Sequence, residues 1–270
     1  MARMEFLKFV RRRSFISELI YASLNIALAV ALFLVVRYTE SIWFAIALVI
    51  LSKWRVFAVR PRYWWANMQS NIVDFIVSIS VVIHMYTINS QTLIADGTKV
   101  LLLLGLMALY VGWLLFIKPR SKRIYVAIQA GVAVFYGIAA LFTVSYNWPV
   151  SLVVIFAWLI GYASARHALN SFDDETHSLF LSLVWGLVIA EIAWVGYHWA
   201  IAYPLPLWPS LLLPQAAIII TLISFLGYKV YNSFYHHARI RMADVLMPLL
   251  FTISVFVVLL LVFNRVGTAI

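Results

Sequence analysis

The placement of twenty lysines and arginines between long apolar runs constrains this chain more than any motif does. Nine apolar segments can be read, at 18–38, 40–53, 67–88, 98–117, 124–144, 150–168, 178–202, 209–228 and 244–263. All but the second reach the ~20 residues that a bilayer core requires. The loops between them alternate in charge. Arg3, Lys8, Arg11, Arg12 and Arg13 precede the first segment; Lys53, Arg55, Arg60 and Arg62 follow the second; Lys118, Arg120, Lys122 and Arg123 follow the fourth. Arg166, Lys229, Arg239 and Arg241 fall on that same side, and only Arg37, Lys99 and Arg265 on the other. Cytoplasmic loops collect lysine and arginine. The pattern therefore predicts an all-α polytopic bundle of nine transmembrane helices in the cytoplasmic (inner) cell membrane, N-terminus cytoplasmic and C-terminus external. The second segment, Glu40 to Lys53, is short and needs tilt, thinning or snorkelling to cross. Were it re-entrant, every later loop would change sides, so it is read as a span.

Composition agrees. Some 65% of residues are hydrophobic and 11% charged, against roughly a quarter charged in soluble domains. The net charge of +10 is scattered through short loops facing anionic headgroups, which points to a membrane surface and away from nucleic acid. Residues 1–270 read as one transmembrane domain with a short basic tail at 1–17, since no loop is long enough for a core of its own. The first segment ends in Val35-Val36-Arg37-Tyr38 without a small-residue cleavage site, so it reads as a retained helix. The absence of cysteine excludes disulfides, thiolate metal sites and cysteine nucleophiles.

Small residues predict packing. Ser178, Ser182, Gly186 and Ala190 recur every four residues in the seventh segment, and Ala157, Gly161 and Ala165 do so in the sixth. Small stripes let backbones approach in lipid, so these segments are expected to form a tight antiparallel pair. Gly105, Ala108 and Gly112 give the fourth segment a similar face, and the apolar ninth is expected to face lipid.

Polar groups inside a membrane are costly and mark function. Asn25, Asn71, Asp74, Gln129 and Arg166 fall in the cytoplasmic third, and Glu191, His198, His84 and Gln215 in the outer half. Asn67, Asn71, Asp74 and Ser78 share one helical face, and an Asp74–Arg166 pair is expected. Glu191 and His198 lie two turns apart, the raw material of a proton relay; a carboxyl hydrogen-bonded to a neighbouring helix is the plainer alternative. Arg55, Arg60, Arg62 and Trp64 form a basic-aromatic loop suited to interfacial anchoring or, through guanidinium forks, to lipid phosphate. Asp173, Asp174 and Glu175 could hold magnesium, although a solvated loop explains them as well. His236-His237 alone does not make a metal site.

No enzyme motif stands out. H-E-x-x-H, G-x-S-x-G and Gly-x-Gly-Asp are absent, and Ser80 and His84 lack the further histidine pair of ceramidase-like hydrolases. The layout resembles that of UbiA-type intramembrane prenyltransferases, which have nine helices and acid-rich motifs after helices two and six. Here Asn67/Asn71/Asp74 and Asp173/Asp174/Glu175 lie near those corners, but the N-x-x-x-D-x-x-x-D motif is missing and Asp74 is one residue out of register. No cofactor is implied. The partners implied are the bilayer, its anionic headgroups, and membrane-protein neighbours or further copies of the chain. Three functional readings stand: a small transport or permeation module with Asp74 and Glu191 lining a polar path, a non-catalytic membrane subunit or scaffold, and an intramembrane enzyme for prenyl or phospholipid-headgroup chemistry.

Overall fold

The computed structural model describes residues 2–261 apart from 40, 57, 59, 174, 200 and 206, and for 2–14, 55, 65 and 66 the backbone alone. The described chain is helical almost throughout: α1 (Ala2–Thr39), α2 (Ile42–Ser52), α3 (Trp64–Ser90), α4 (Asp96–Gly112), α5 (Arg123–Val144), α6 (Val150–Leu169), α7 (Ser178–His198), α8 (Gln215–His237) and α9 (Met242–Leu261). Eight of these are long and apolar enough to cross a membrane, and α2 is a shorter apolar helix. The chain is a multi-pass helical membrane protein.

Two apolar cores divide the bundle. Leu32, Val49, Val77, Met85 and Leu103 centre the first, among α1 to α4. Ile138, Phe142, Ala157, Ile189 and Ile220 centre the second, among α5 to α8. Packing of α3 on α5 joins them, and α9 lies chiefly on α8, burying Val245, Thr252 and Leu259.

The ends of α1 and α3 meet. Asn89 Nδ2 donates to the Val36 carbonyl at 3.1 Å, and Arg37 donates to Asn89 at 3.2 Å while pairing with Asp96 at 2.7 Å. These two helices therefore run parallel, and the chain between them returns through the bundle. The 11 residues of α2 cover ~16 Å of that return. Short 3-10 turns at Trp54–Val56 and Pro61–Tyr63 carry it on to α3.

The α6–α7 pair forms as its small residues predict. A Cβ on Gly161 would lie 3.2 Å from Gly186 Cα, and one on Gly186 would lie 3.0 Å from the Trp158 carbonyl oxygen. The fourth segment differs: nothing lies within 4 Å of a Cβ placed on Gly105 or Gly112, so these glycines do not receive a helix.

The eighth segment is shifted from the expected 209–228. Ala202–Leu205 (β1) and Trp208–Pro214 (β2) form an antiparallel hairpin, and α8 starts only at Gln215. Pro204, Pro209 and Pro214 explain this, because proline removes a helical donor and suits a helix start. At its other end α8 runs through the expected loop 229–243 to His237, having no glycine or proline to stop it. It ends at Ala238, which adopts the left-handed conformation (φ 52°). That conformation costs a non-glycine residue ~1–2 kcal/mol, and glycine usually occupies the position. Ala238→Gly is accordingly expected to stabilise the protein by ~1 kcal/mol, read as a higher midpoint of thermal unfolding in detergent.

Candidate functional site

Asp74 is buried at the point where α2, α3 and α4 meet. Its carboxylate takes an ion pair from Lys53, just past α2, and another from Lys118 at 2.7 Å. Trp113 Nε1 donates to its other oxygen at 3.0 Å. One turn deeper, Tyr110 donates to Ser78 Oγ at 2.9 Å. The expected Asp74–Arg166 pair is not formed: Arg166 instead donates to Ser178 at 2.7 Å, joining α6 to the start of α7. Lysine stems reach further than the ends of their helices suggest, so Lys53 and Lys118, assigned to loops in the sequence, turn inward to the carboxylate. Trp113–Ile117 forms a π-turn at the end of α4, closed by the Lys118 N–H on the Trp113 carbonyl.

Gln129 on α5 completes a polar belt. Its amide donates to the carbonyl of Ile117 at 2.7 Å, which also accepts from the Arg120 N–H, and to that of Arg120 at 2.9 Å. Its carbonyl oxygen lies 2.7 Å from His167 Nε2 on α6, which must therefore carry the proton. From Lys53 to His167, side chains of this belt tie together the ends of five helices.

The other sequence candidates scatter. Asn71 bonds within its own helix, to the Asn67 carbonyl at 2.8 Å and Ser70. His84 packs edge-on against Tyr136, with ring centres 5.8 Å apart. Gln215 donates to Tyr203 of the hairpin at 2.6 Å. Glu191 and His198 are on the exposed side of α7, where His198 stacks on Trp194 at 4.7 Å. Asp74 and Glu191 therefore do not line one path. Arg60, Arg62 and Trp64 are exposed, and Arg62 covers the Tyr63 ring at 4.6 Å. The Arg55 side chain and Asp174 lie outside the described residues. Asp173 is exposed, and no group of three or more metal-ligating side chains occurs among the described residues. Glu175 accepts from Tyr231 and from the His177 backbone. The Tyr231 hydrogen bond, more than the backbone one, holds the Glu175 carboxyl below the usual range. That tether is thus complete at neutral pH and is lost only as pH falls through the depressed value.

An opening lies elsewhere, between α5, α6, α7, α8 and α9. It is a cleft of about 830 Å³, walled by apolar side chains and floored by small residues such as Gly131, Ala165 and Ala168. Nothing approaches within 4 Å of a Cβ placed on Gly131, so that residue fronts open space. Two hydroxyls in the wall, Ser164 and Ser224, have no hydrogen-bond partner among the described residues. All five helices contribute the half that lies toward Arg123 and the α6–α7 loop. At that end Phe172 is ringed by Tyr228, Tyr231 and Tyr235. Arg123 sits 4.5 Å over the Phe172 ring and donates to the Ser171 carbonyl.

Lys229 belongs to this cleft and also to a second, polar pocket of about 290 Å³. Asn232, Ser233, His236, His237 and Asp244 line the rest of it. Asp244 is already engaged, accepting from Ser233 at 2.8 Å and lying 3.5 Å from His237. Arg123 lies 3.4 Å from His236 Nε2, which must accept, leaving the proton on Nδ1 facing the Asn232 carbonyl. Lys229 forms no ion pair among the described residues; its ammonium lies 5.7 Å from the Phe225 ring. An apolar volume and a polar pocket thus adjoin at one lysine. No feature of the sequence marked the cleft, which exists where helices fail to touch; only the small residues along α5 and α6 hint at it.

No protein-family model matches this chain, and neither a curated protein nor a solved structure does.

The belt makes asymmetric demands on stability. Asp74→Asn leaves two ammonium groups without their counter-charge and is expected to cost ~3–5 kcal/mol, the usual penalty for breaking a buried pair from one side. Lys118→Met leaves the Asp74–Lys53 pair balanced and should cost clearly less. Thermal unfolding of the purified variants ranks the two, and an equal loss would contradict the assigned pairing.

Proposed function

We propose that this protein binds an anionic amphiphile, its apolar chain lying in the cleft among α5 to α9 and its headgroup at Lys229. The observation that carries the reading is the meeting of the two pockets at that residue. The cleft volume falls within the ~300–1,000 Å³ typical of small-molecule sites. Its apolar wall rejects polar cargo. The Lys229 ammonium suits phosphate or carboxylate, the Asp244 carboxylate of the same pocket being engaged by Ser233 and His237. Lipid handling also fits the absence of a shared path for Asp74 and Glu191 better than ion permeation does.

The membrane arrangement belongs to the same proposal: nine crossings in the cytoplasmic membrane, with the N-terminus and the amphiphile's headgroup on the cytoplasmic side. Supporting it are the parallel course of α1 and α3, which makes α2 a crossing element, and the excess of lysine and arginine in the loops of one side. The hairpin is then external. Since the chain has no cysteine, single cysteines test this directly. Leu207→Cys in the hairpin turn should react with an impermeant thiol reagent on intact cells, and Ser121→Cys between α4 and α5 only after permeabilisation. The reverse pattern would invert the topology.

Binding is tested in nanodiscs carrying photoreactive-acyl phosphatidic acid or phosphatidylcholine. Wild-type protein should crosslink to the anionic analogue preferentially, at residues of α5 and α8. Gly131→Leu projects into the open cleft without a clash and should abolish capture of both analogues while leaving the melting temperature unchanged. Lys229→Ala should reduce the preference for phosphatidic acid by about tenfold, the worth of one charge-assisted contact. Capture unaffected by Gly131→Leu would refute the site.

A further inference from the structure

Helix α7 turns two different faces to its surroundings. Ser182, Gly186, Ile189, Ala190 and Ala193 are buried within the bundle. On another face Phe180, Val184, Leu187, Glu191, Trp194 and His198 are exposed. Their separations alternate between four and three residues along the whole helix, a 3.5-residue repeat. This is the seam of a left-handed helix pair, whereas an isolated helix drifts away from such a repeat at 3.6 residues per turn.

Glu191 is the polar position of this seam inside the hydrocarbon, about 10 Å from the His198 end of the helix at 1.5 Å per residue. It has no hydrogen-bond or ion-pair partner among the described residues. Ionisable side chains at membrane depth normally face the bundle interior and pair with one another. A carboxyl turned outward on a seam of this spacing lacks the surface that would cover it.

We propose that a second copy of this chain covers it, with α7 packed against α7 about a twofold axis along the membrane normal. Two copies inserted in the same sense present α7 in parallel, so a 3.5-residue seam is self-complementary and each position meets its own counterpart. Glu191 then faces Glu191 of the other copy. When one of the two holds a proton, it donates to the other, and each carboxyl gains the partner it lacks in the single chain. A polar group at one seam position fixes the register of a helix pair, because any slip buries it against apolar side chains. The Trp194–His198 stack lies at the outer end of the same face, where larger amphipathic rings suit the interface. This assignment does not rest on the cleft, which Val184 also lines.

Single cysteines and an oxidising crosslinker in native membranes test the proposal. Phe180→Cys and Leu187→Cys should yield disulfide-linked dimers, whereas Val188→Cys and Ile192→Cys, off the seam, should not. Glu191→Leu should lower the dimer fraction as a threefold to tenfold weaker association, roughly what interhelical hydrogen bonds contribute in membranes. Glu191→Gln, whose amide both donates and accepts, should retain the dimer. Because Glu191 has no hydrogen-bond or ion-pair partner among the described residues, both variants should melt like the wild type. A monomeric wild type by single-molecule photobleaching, equal crosslinking on and off the seam, or a dimer indifferent to Glu191→Leu would each overturn it. So would seam cysteines that crosslink only to a different protein.

Discussion

One buried carboxylate, Asp74, organises the N-terminal half of this protein. Lipid offers no water to solvate an ammonium or a free carbonyl, so Lys53, Lys118 and the open end of α4 have to find partners within the protein. Asp74 answers the two cations, and Trp113 occupies its second oxygen. This pins the end of the short α2 to α3 and to the π-turn, and lets 11 apolar residues serve where a longer helix would otherwise be needed. Gln129 adds its amide to the Ile117 carbonyl at the end of the π-turn and in turn orients His167. Each member creates the need that the next one meets.

The belt also sets where the second half can open. Gln129 holds α5 to the end of α4, while its neighbours Ile128 and Ala130 face the cleft. His167 does the same for α6, beside Ala168 of the cleft wall. Both helices are anchored on the belt side, and α5 packs on α8 toward their other ends, where Phe142 and Ile220 share the second core. At the mouth, the cluster around Phe172 and the Glu175–Tyr231 tether hold the α6–α7 loop against α8. The cleft is thus framed by fixed polar contacts, and its emptiness arises from small side chains between them.

Much of this was legible in the sequence, but unevenly. Apolar runs and flanking cations located the helices, because the bilayer imposes length and loop charge directly. The four-residue stripes of α6 and α7 gave their contact, because close approach needs small residues and nothing else. The start of α8 was misplaced because a leucine-rich run scores as a helix even where Pro204, Pro209 and Pro214 favour a hairpin. Asp74 was rightly marked as a charge needing a partner, yet depth counted along helices could not decide between Arg166 and the lysines. That choice depends on which helices are neighbours and on how far a flexible stem reaches inward. Glu191 shows the same limit: the spacing of α7 describes every face of the helix, and only packing reveals which one the bundle leaves uncovered.

The polar groups of this chain are therefore of three physical kinds. Those of the belt are mutually satisfied, and removing one exposes the rest, which is how structural residues behave in lipid. The hydroxyls of Ser164 and Ser224 are buried without a hydrogen-bond partner among the described residues, and the Lys229 ammonium lies 5.7 Å from the Phe225 ring. An opening of this size facing a bilayer does not stay vacant, since acyl chains surround it. Occupancy by a chain is nearly indifferent energetically, because lipid tails are as apolar as the wall they would replace. In the proposed binding role discrimination comes from the head end, where the Lys229 ammonium gains far more from an anionic, oxygen-rich group than from a neutral one. The many apolar contacts of the cleft then set only the shape that enters.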